Sequence, residues 1–297
     1  MMGDMEHAAV TVIIGVIGLI FGSFAGATVW RLRAQQLVDE KAAGEPVDAA
    51  ELRRLKPLTK GTFRANDRSR CLHCGHELAW YDLLPLASWL SLGGKCRYCR
   101  APIGYFEPLI ELGVALLFVA SYLLWPVPFT GLEVVRFVLW LLAGVALTIL
   151  FVYDLKWSLF DTRVLWLAIG LALAFAGLGL LGTTDLAGRL TSLAIAVMIL
   201  AGLYFILDKA SRGRWVGEGD AKLGLALALL LGKWELAFIA LFAANLIGTL
   251  VVLPGLITGK LSRTARVPFG PFLIAGMLVA FFAGTWIVTW FSTLMLW

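Results

Sequence analysis

A chain of 297 residues that is 60% hydrophobic and 15% charged, with a mean hydropathy of +0.85, has more apolar side chain than one water-soluble core can hide. This composition excludes an ordinary soluble domain and predicts an all-α polytopic protein embedded in the lipid bilayer. The net charge of +5 would suggest a polyanion partner for a soluble chain, but in a membrane protein Lys and Arg mark the cytoplasmic loops, so no nucleic-acid partner is inferred.

Apolar runs of membrane length, roughly 17–25 residues, fall at 9–30, 108–126, 134–153, 164–182, 188–207, 236–257 and 270–296, with a shorter run at 223–232. The stretch before the first run contains Asp4 and Glu6 but no Lys or Arg. That is the reverse of a secretory leader's basic start, so the run reads as an anchor. Between the first two runs lies the only long polar segment, 31–107, which holds 13 of the 25 Lys and Arg residues. It is placed in the cytoplasm, and its part from Gln35 to Arg70 reads as a partly ordered linker. If the short run 223–232 also crosses, the basic loops 154–163, 208–222 and 258–269 all face the cytoplasm and both chain ends lie outside. The expected plan is therefore about eight transmembrane helices: a first helix (1–30), a cytoplasmic linker and cysteine-bearing domain (31–107), and a transmembrane core (108–297).

Within the polar segment, Cys71-Leu72-His73-Cys74 and Cys96-Arg97-Tyr98-Cys99 form two C-x-x-C pairs, and these are the only cysteines in the chain. The spacing is close to that of a zinc ribbon, and four thiolates suit a closed, tetrahedral, structural zinc site. A reducing cytoplasm disfavours disulfides here. His73 and His76 read as ribbon surface, since four sulfurs complete the shell.

Two carboxylates stand out against the apolar background. Asp154 closes the third run, and Asp220 ends the stretch Gly217-Glu218-Gly219-Asp220 just before the short sixth run. Ionisable groups at membrane depth are costly to keep, which makes both candidates for function. Placed at the cytoplasmic ends of their spans, they can face one another and share one proton, the equipment of an aspartyl peptidase. Gly217 and Gly219 are expected to let the backbone turn sharply and admit an extended peptide. The competing reading pairs the aspartates with Lys156 and Lys222 as interfacial ion pairs. Lys222 either snorkels to the headgroups or tunes the pair. Pro268 and Gly270, at the start of the last span, either line a groove for an extended peptide or merely begin a helix. Asn245 is expected to bond across helices, and the pairs Ala244/Gly248 and Gly22/Gly26 mark close helix packing.

From about Gly22 to Phe272 the chain resembles the bacterial type IV prepilin peptidases, also called leader peptidase/N-methyltransferases. The resemblance is carried by Gly22-Ser23-Phe24, Asp82-Leu83-Leu84-Pro85, Ser88-Trp89-Leu90, Gly94-Lys95-Cys96-Arg97, Glu107-Pro108-Leu109-Ile110-Glu111-Leu112, Tyr153-Asp154-Leu155, Gly217-Glu218-Gly219-Asp220-Ala221-Lys222-Leu223 and Pro268-Phe269-Gly270-Pro271. It implies an endopeptidase of the cytoplasmic membrane that removes the leader of prepilins and pseudopilins at the cytoplasmic face, with Asp154 and Asp220 as the catalytic pair. It also implies methylation of the new amino terminus from S-adenosylmethionine and links Glu111 to that step; the residues themselves allow Glu111 equally to be a helix-end carboxylate paired with a ribbon Arg or Lys. The chain departs from the family at Leu159-Phe160-Asp161-Thr162, where a proline-aspartate or proline-asparagine pair is usual. Asp161 is retained as a non-catalytic loop candidate. A transporter, or a membrane-anchored zinc-ribbon docking protein without peptidase activity, are the alternative classes. Neither the oligomeric state nor the particular pilin is legible.

Overall fold

The computed structural model describes residues 2–60, 68–181, 183–214, 216–262 and 267–294. Part of the linker, 61–67, and part of the basic loop 258–269, residues 263–266, lie outside the described residues, as does the end of the last apolar run. Among the described residues there is no strand, only helices and two isolated antiparallel bridges, Arg70 with Glu77 and Lys95 with Pro102. Among the described residues, seven helices are long and apolar enough to cross a membrane. The chain divides into two compact units, Met1–Trp125 and Pro126–Trp297.

In the first unit, α1 (Met2–Ala42) runs for 41 residues, about 60 Å of helix, so it continues well beyond the apolar stretch. The segment expected to be a partly ordered linker is thus helical to Ala42, for a physical reason: its Ala, Leu, Gln, Glu and Lys residues are strong helix formers. Its apolar positions also find partners. Ala34 and Leu37 pack with Leu55 and Leu58 in a small core flanked by Trp30, Val47, Leu52 and Leu72. The short α2 (Ala49–Leu55) starts at Asp48, whose carboxylate accepts from the Ala50 and Glu51 N–H groups, and Arg33 binds Glu51 at 2.8 Å. Two further short pieces, a 3-10 turn at Trp80–Leu83 and α3 (Ala87–Ser91), lie within the cysteine-bearing part. Next, α4 (Phe106–Leu123) packs along α1. A Cβ added to Gly18 would lie 2.6 Å from Ala115 Cα, and one on Gly22 would lie 2.5 Å from Glu111 Cα. The helices therefore touch backbone to backbone at Gly18 and Gly22, one turn earlier than the expected Gly22/Gly26 pair.

The second unit contains α5 (Leu132–Trp157), α6 (Thr162–Leu180), α7 (Leu186–Val197), α8 (Leu203–Ser211), α9 (Glu218–Leu231), α10 (Trp234–Ile257) and α11 (Gly270–Leu294), with a π-helical turn, Met198–Gly202, joining α7 to α8. The short run 223–232 is α9, whose 14 residues rise only about 21 Å. It is buried almost all round, from Leu223 to Leu231, and packs against α6, α7, α8, α10 and α11. A helix apolar on every side is stable where protein surrounds it. α10 meets α11 through small residues: a Cβ on Gly276 would collide with Ala240 and Ala244, and Gly248 lies against Phe272. Among the described residues, Asn245 makes no bond across helices. Its amide donates to Leu241 O, one turn back in α10, at 2.8 Å, which satisfies the amide locally.

Candidate active site and metal centre

Asp154 lies in the last turn of α5, just before Ser158, whose left-handed backbone (φ 53°, ψ 41°) ends the helix as its N–H donates to Asp154 O. The Asp154 side chain is buried, 4% exposed. Its Oδ2 accepts a 2.9 Å hydrogen bond from the Gly270 N–H, a group at the first position of α11 with no partner in its own helix. Asp220, 9% exposed, is the third residue of α9. Its Oδ2 accepts from Gly217 N–H at 3.2 Å, while its own N–H donates to Gly217 O at 3.1 Å, the reciprocal arrangement of a capped helix start. Each carboxylate thus sits at a helix amino terminus, where the aligned peptide dipoles favour negative charge. Each also has one oxygen fixed by a backbone N–H and the other without a hydrogen-bond partner among the described residues. The two acids are brought to one place by shared neighbours: the ring of Phe160 lies against Gly219, next to Asp220, and against Gly270, whose N–H holds Asp154. Neither forms an ion pair among the described residues.

The sharp turn expected at the glycines is not what the backbone shows. Gly217 is extended (φ −88°, ψ 158°), a conformation open to any residue, and a Cβ there would meet only ordinary contacts. Gly219 does not turn in the left-handed region either. What requires glycine is the approach of a ring: a Cβ on Gly219 would lie 2.5 Å from Phe160 Cδ2, and one on Gly270 would lie 2.5 Å from Phe160 Cζ and 2.7 Å from Asp154 Oδ2. Phe160, half-buried in the loop between α5 and α6, therefore bridges the backbone beside Asp220 and the backbone that holds Asp154. Nothing in the sequence marked this residue, because a lone Phe beside a span looks like any other membrane-facing aromatic.

The remaining candidates are placed as follows. Lys222 turns away from Asp220: its Nζ pairs with Glu218 at 2.9 Å, one turn back on α9, and lies 5.8 Å from the Trp166 ring. Pro268 is half-buried just ahead of α11. Asp161 caps α6, accepting from the N–H groups of Arg163 and Val164 at 2.9 and 3.2 Å and pairing with the Arg163 guanidinium.

In the first unit the four cysteine sulfurs lie within 4.8 Å of one another, and the Cys71 and Cys99 sulfurs are 3.9 Å apart. A tetrahedral zinc with 2.3 Å bonds sets its sulfurs about 3.8 Å apart, so the donor set fits. All four are free thiols. The two knuckles repeat one design. Cys71 N–H donates to His76 O and Gly75 N–H to Cys71 O; Cys96 N–H donates to Ala101 O and Arg100 N–H to Cys96 O. Gly75 (φ 70°) and Arg100 (φ 59°) occupy the same left-handed position. Burial pushes the Cys96 thiol up, but the backbone N–H groups of Cys99 and Tyr98 outweigh it and bring it down to about 7, favouring the thiolate that a metal binds. Asp82 secures the second knuckle, accepting from Arg97 Nε at 2.8 Å, Tyr98 Oη at 2.9 Å and Ala79 N–H at 3.2 Å.

Glu111 is buried on α4, 8% exposed, and pairs with no ribbon Arg or Lys among the described residues. Its Oε2 instead accepts the Leu86 N–H at 2.8 Å. Leu86 holds an unusual backbone (φ 55°, ψ −44°), costly for a residue with a side chain. Glu111 thus pins a strained turn directly after Asp82-Leu83-Leu84-Pro85.

Comparison with known proteins gives concordant results. Residues 16–125 match the family model described as the bacterial peptidase A24 N-terminal domain. The chain is 31% identical over 275 residues to the type 4 prepilin-like proteins leader peptide-processing enzyme of Escherichia coli O78:H11, covering 91% of this chain and 92% of that one. It is 33% identical to the prepilin leader peptidase/N-methyltransferase of Burkholderia pseudomallei strain 1026b, over 91% and 84% of the two chains. It is 30% identical to the protein of that name from Pseudomonas aeruginosa, over 89% and 87%. No solved structure gives a significant match.

Proposed function

We propose, on the premise that this chain belongs to the prepilin leader peptidase/N-methyltransferase family, that it is a membrane-embedded aspartic endopeptidase removing the leader of type IV prepilins and pseudopilins at the cytoplasmic face of the inner membrane. The observation that carries this reading is the meeting of Asp154 and Asp220, each with one carboxylate oxygen fixed by a backbone N–H, from Gly270 and from Gly217. Two acids so placed hold one proton between them. The ionised member takes a proton from water as the oxygen attacks the scissile carbonyl, and the protonated member gives its own to the carbonyl oxygen. With one oxygen of each acid fixed, the other is held ready for water and the carbonyl, which removes an orientational cost from the transition state. The substrate's apolar helix lies in the bilayer, and its extended leader junction lies along the backbone of Gly217, Gly219, Pro268 and Gly270, with Lys222 at the headgroup level.

In the same reading Cys71, Cys74, Cys96 and Cys99 hold a structural zinc that ties the two knuckles together. Methylation of the new amino terminus from S-adenosylmethionine is assigned to the first unit, with Glu111 holding the turn at Leu86 in place. The test is to incubate membranes containing the full chain with a prepilin peptide and follow the products by mass spectrometry. Asp154→Ala and Asp220→Ala should each lower leader removal by about 10⁴-fold at unchanged membrane abundance. Cleavage persisting in both variants would overturn the assignment.

A further inference from the structure

Tyr204 is buried, 4% exposed, in the first turn of α8, and its hydroxyl has no hydrogen-bond partner among the described residues. The ring is enclosed, but the hydroxyl is not among the fully enclosed polar atoms that lack a partner, so it keeps an open edge that a group entering the site can reach. α8 and α9 are joined by the short loop 212–217 and pack as antiparallel neighbours. Their register is set where the π-helical turn meets α9: a Cβ on Gly224 would collide with the Leu200 carbonyl, so the two backbones touch there. One turn forward from Leu200 is Tyr204, and one turn back from Gly224 is Asp220. Antiparallel packing therefore sets the phenol opposite the carboxylate. The other side of the ring rests on Phe269, with centroids 5.7 Å apart, and Phe269 precedes the Gly270 N–H that holds Asp154. Tyr204 thus lies across from Asp220 and packs on the residue next to the one that holds Asp154. The π-helical turn accounts for this aim, since its wider winding rotates everything after it relative to an unbroken α-helix, and such turns are frequent at functional sites.

We propose that Tyr204 is a third catalytic residue, whose hydroxyl donates a hydrogen bond to the scissile carbonyl oxygen as water adds to the carbon. In that step the bond from water oxygen to carbon forms and the carbonyl π pair moves onto its oxygen. One carboxylate accepts the proton of water, the protonated acid transfers its proton to the former carbonyl oxygen, and the phenol keeps its own. The donor is held in place by its packing, so it needs no reorganisation when charge develops on the carbonyl oxygen.

This inference rests on the peptidase reading, and Tyr204→Phe tests it because the ring and its packing on Phe269 are kept. With the full chain and a prepilin peptide, kcat should fall on the order of 10²-fold while KM and thermal stability stay as in the wild type. A statine-type peptide, whose hydroxyl mimics the tetrahedral species, should bind the variant more weakly, while uncleaved substrate binds equally well. An enzyme that depends on both aspartates yet runs as fast with Tyr204→Phe would sink the inference alone, as would a loss confined to KM or to stability. A wild type indifferent to both aspartates would sink the peptidase reading and the inference with it.

Discussion

The cysteine cluster and the aspartate pair are both small constellations of polar side chains, assembled by opposite means. The four sulfurs come from two near-identical turns, and Cys71 and Cys99 are 28 positions apart. Each turn is closed by its own backbone hydrogen bonds and its own left-handed residue, Gly75 or Arg100. The aspartate site draws on α5, α9 and the start of α11, with Phe160 from the loop between α5 and α6, and its key bond joins positions 116 apart. A site made of local turns can be read from spacing, because the turn geometry follows directly from the residues within it. A site made of helix ends cannot, because which ends meet is decided by how the helices pack.

The comparison is tested most severely at the glycines. Gly219→Ala should cut leader removal by about 10²-fold, the scale of a 1 Å misplacement at a reacting centre. Adding Phe160→Ala should restore much of it, since all the nearest atoms facing the new methyl belong to that ring. Gly270→Ala should fall as far and recover little with Phe160→Ala, because Asp154 Oδ2 also stands in the way. Steady-state cleavage rates for the four variants measure this, and equal rescue at both glycines would break the account of Phe160 as the bridging ring.

The local character of the cysteine site predicts a confined response to metal loss. Chelation, or Cys96→Ser, should release a single zinc per chain in metal analysis and open the segment around 70–102 to proteolysis, as binding that organises a site is also folding free energy. Fragments from α5 to α11 should resist as before. Cleavage spreading through both units at once would show that the ribbon is not a separable element.

A smaller effect should separate the two turns of the ribbon itself. Burial alone would raise the Asp82 carboxyl, but its bonds from Arg97, Tyr98 and the Ala79 N–H hold it below the ordinary value of 3.8. A group depressed on folding contributes its stability in full above that ordinary value and loses it as pH falls through the lowered one. Acid should therefore loosen the second knuckle before the first, seen as earlier amide exchange at Cys96–Arg100. Asp82→Asn should abolish this acid dependence.

Much of the architecture was legible from the chain. The apolar runs locate the long helices because burying or lipid-facing twenty successive residues needs no tertiary information, and the paired C-x-x-C spacing located the knuckles. The helical extension of α1 to Ala42 is not legible in a polar composition that reads as a partly ordered linker, because what steadies it is the packing of Ala34 and Leu37 on Leu55 and Leu58 from beyond the turn. The ring that packs against Gly219 and Gly270 is hidden from the sequence for a related reason. A glycine's own backbone preference is local, but the ring of Phe160 that claims the missing side chain's space arrives from elsewhere in the fold.

By itself, the order of residues determined that this is a helical membrane protein carrying two thiolate turns and two out-of-place acids, because hydropathy and short-range spacing act within a few turns of chain. Only the tertiary structure decided that the Gly270 N–H holds Asp154, that Lys222 serves Glu218 rather than Asp220, and that Phe160 and Tyr204 belong beside the acids. Those relations depend on the depth and rotation at which helices pack, set by contacts such as Leu200 on Gly224, and no local pattern encodes them.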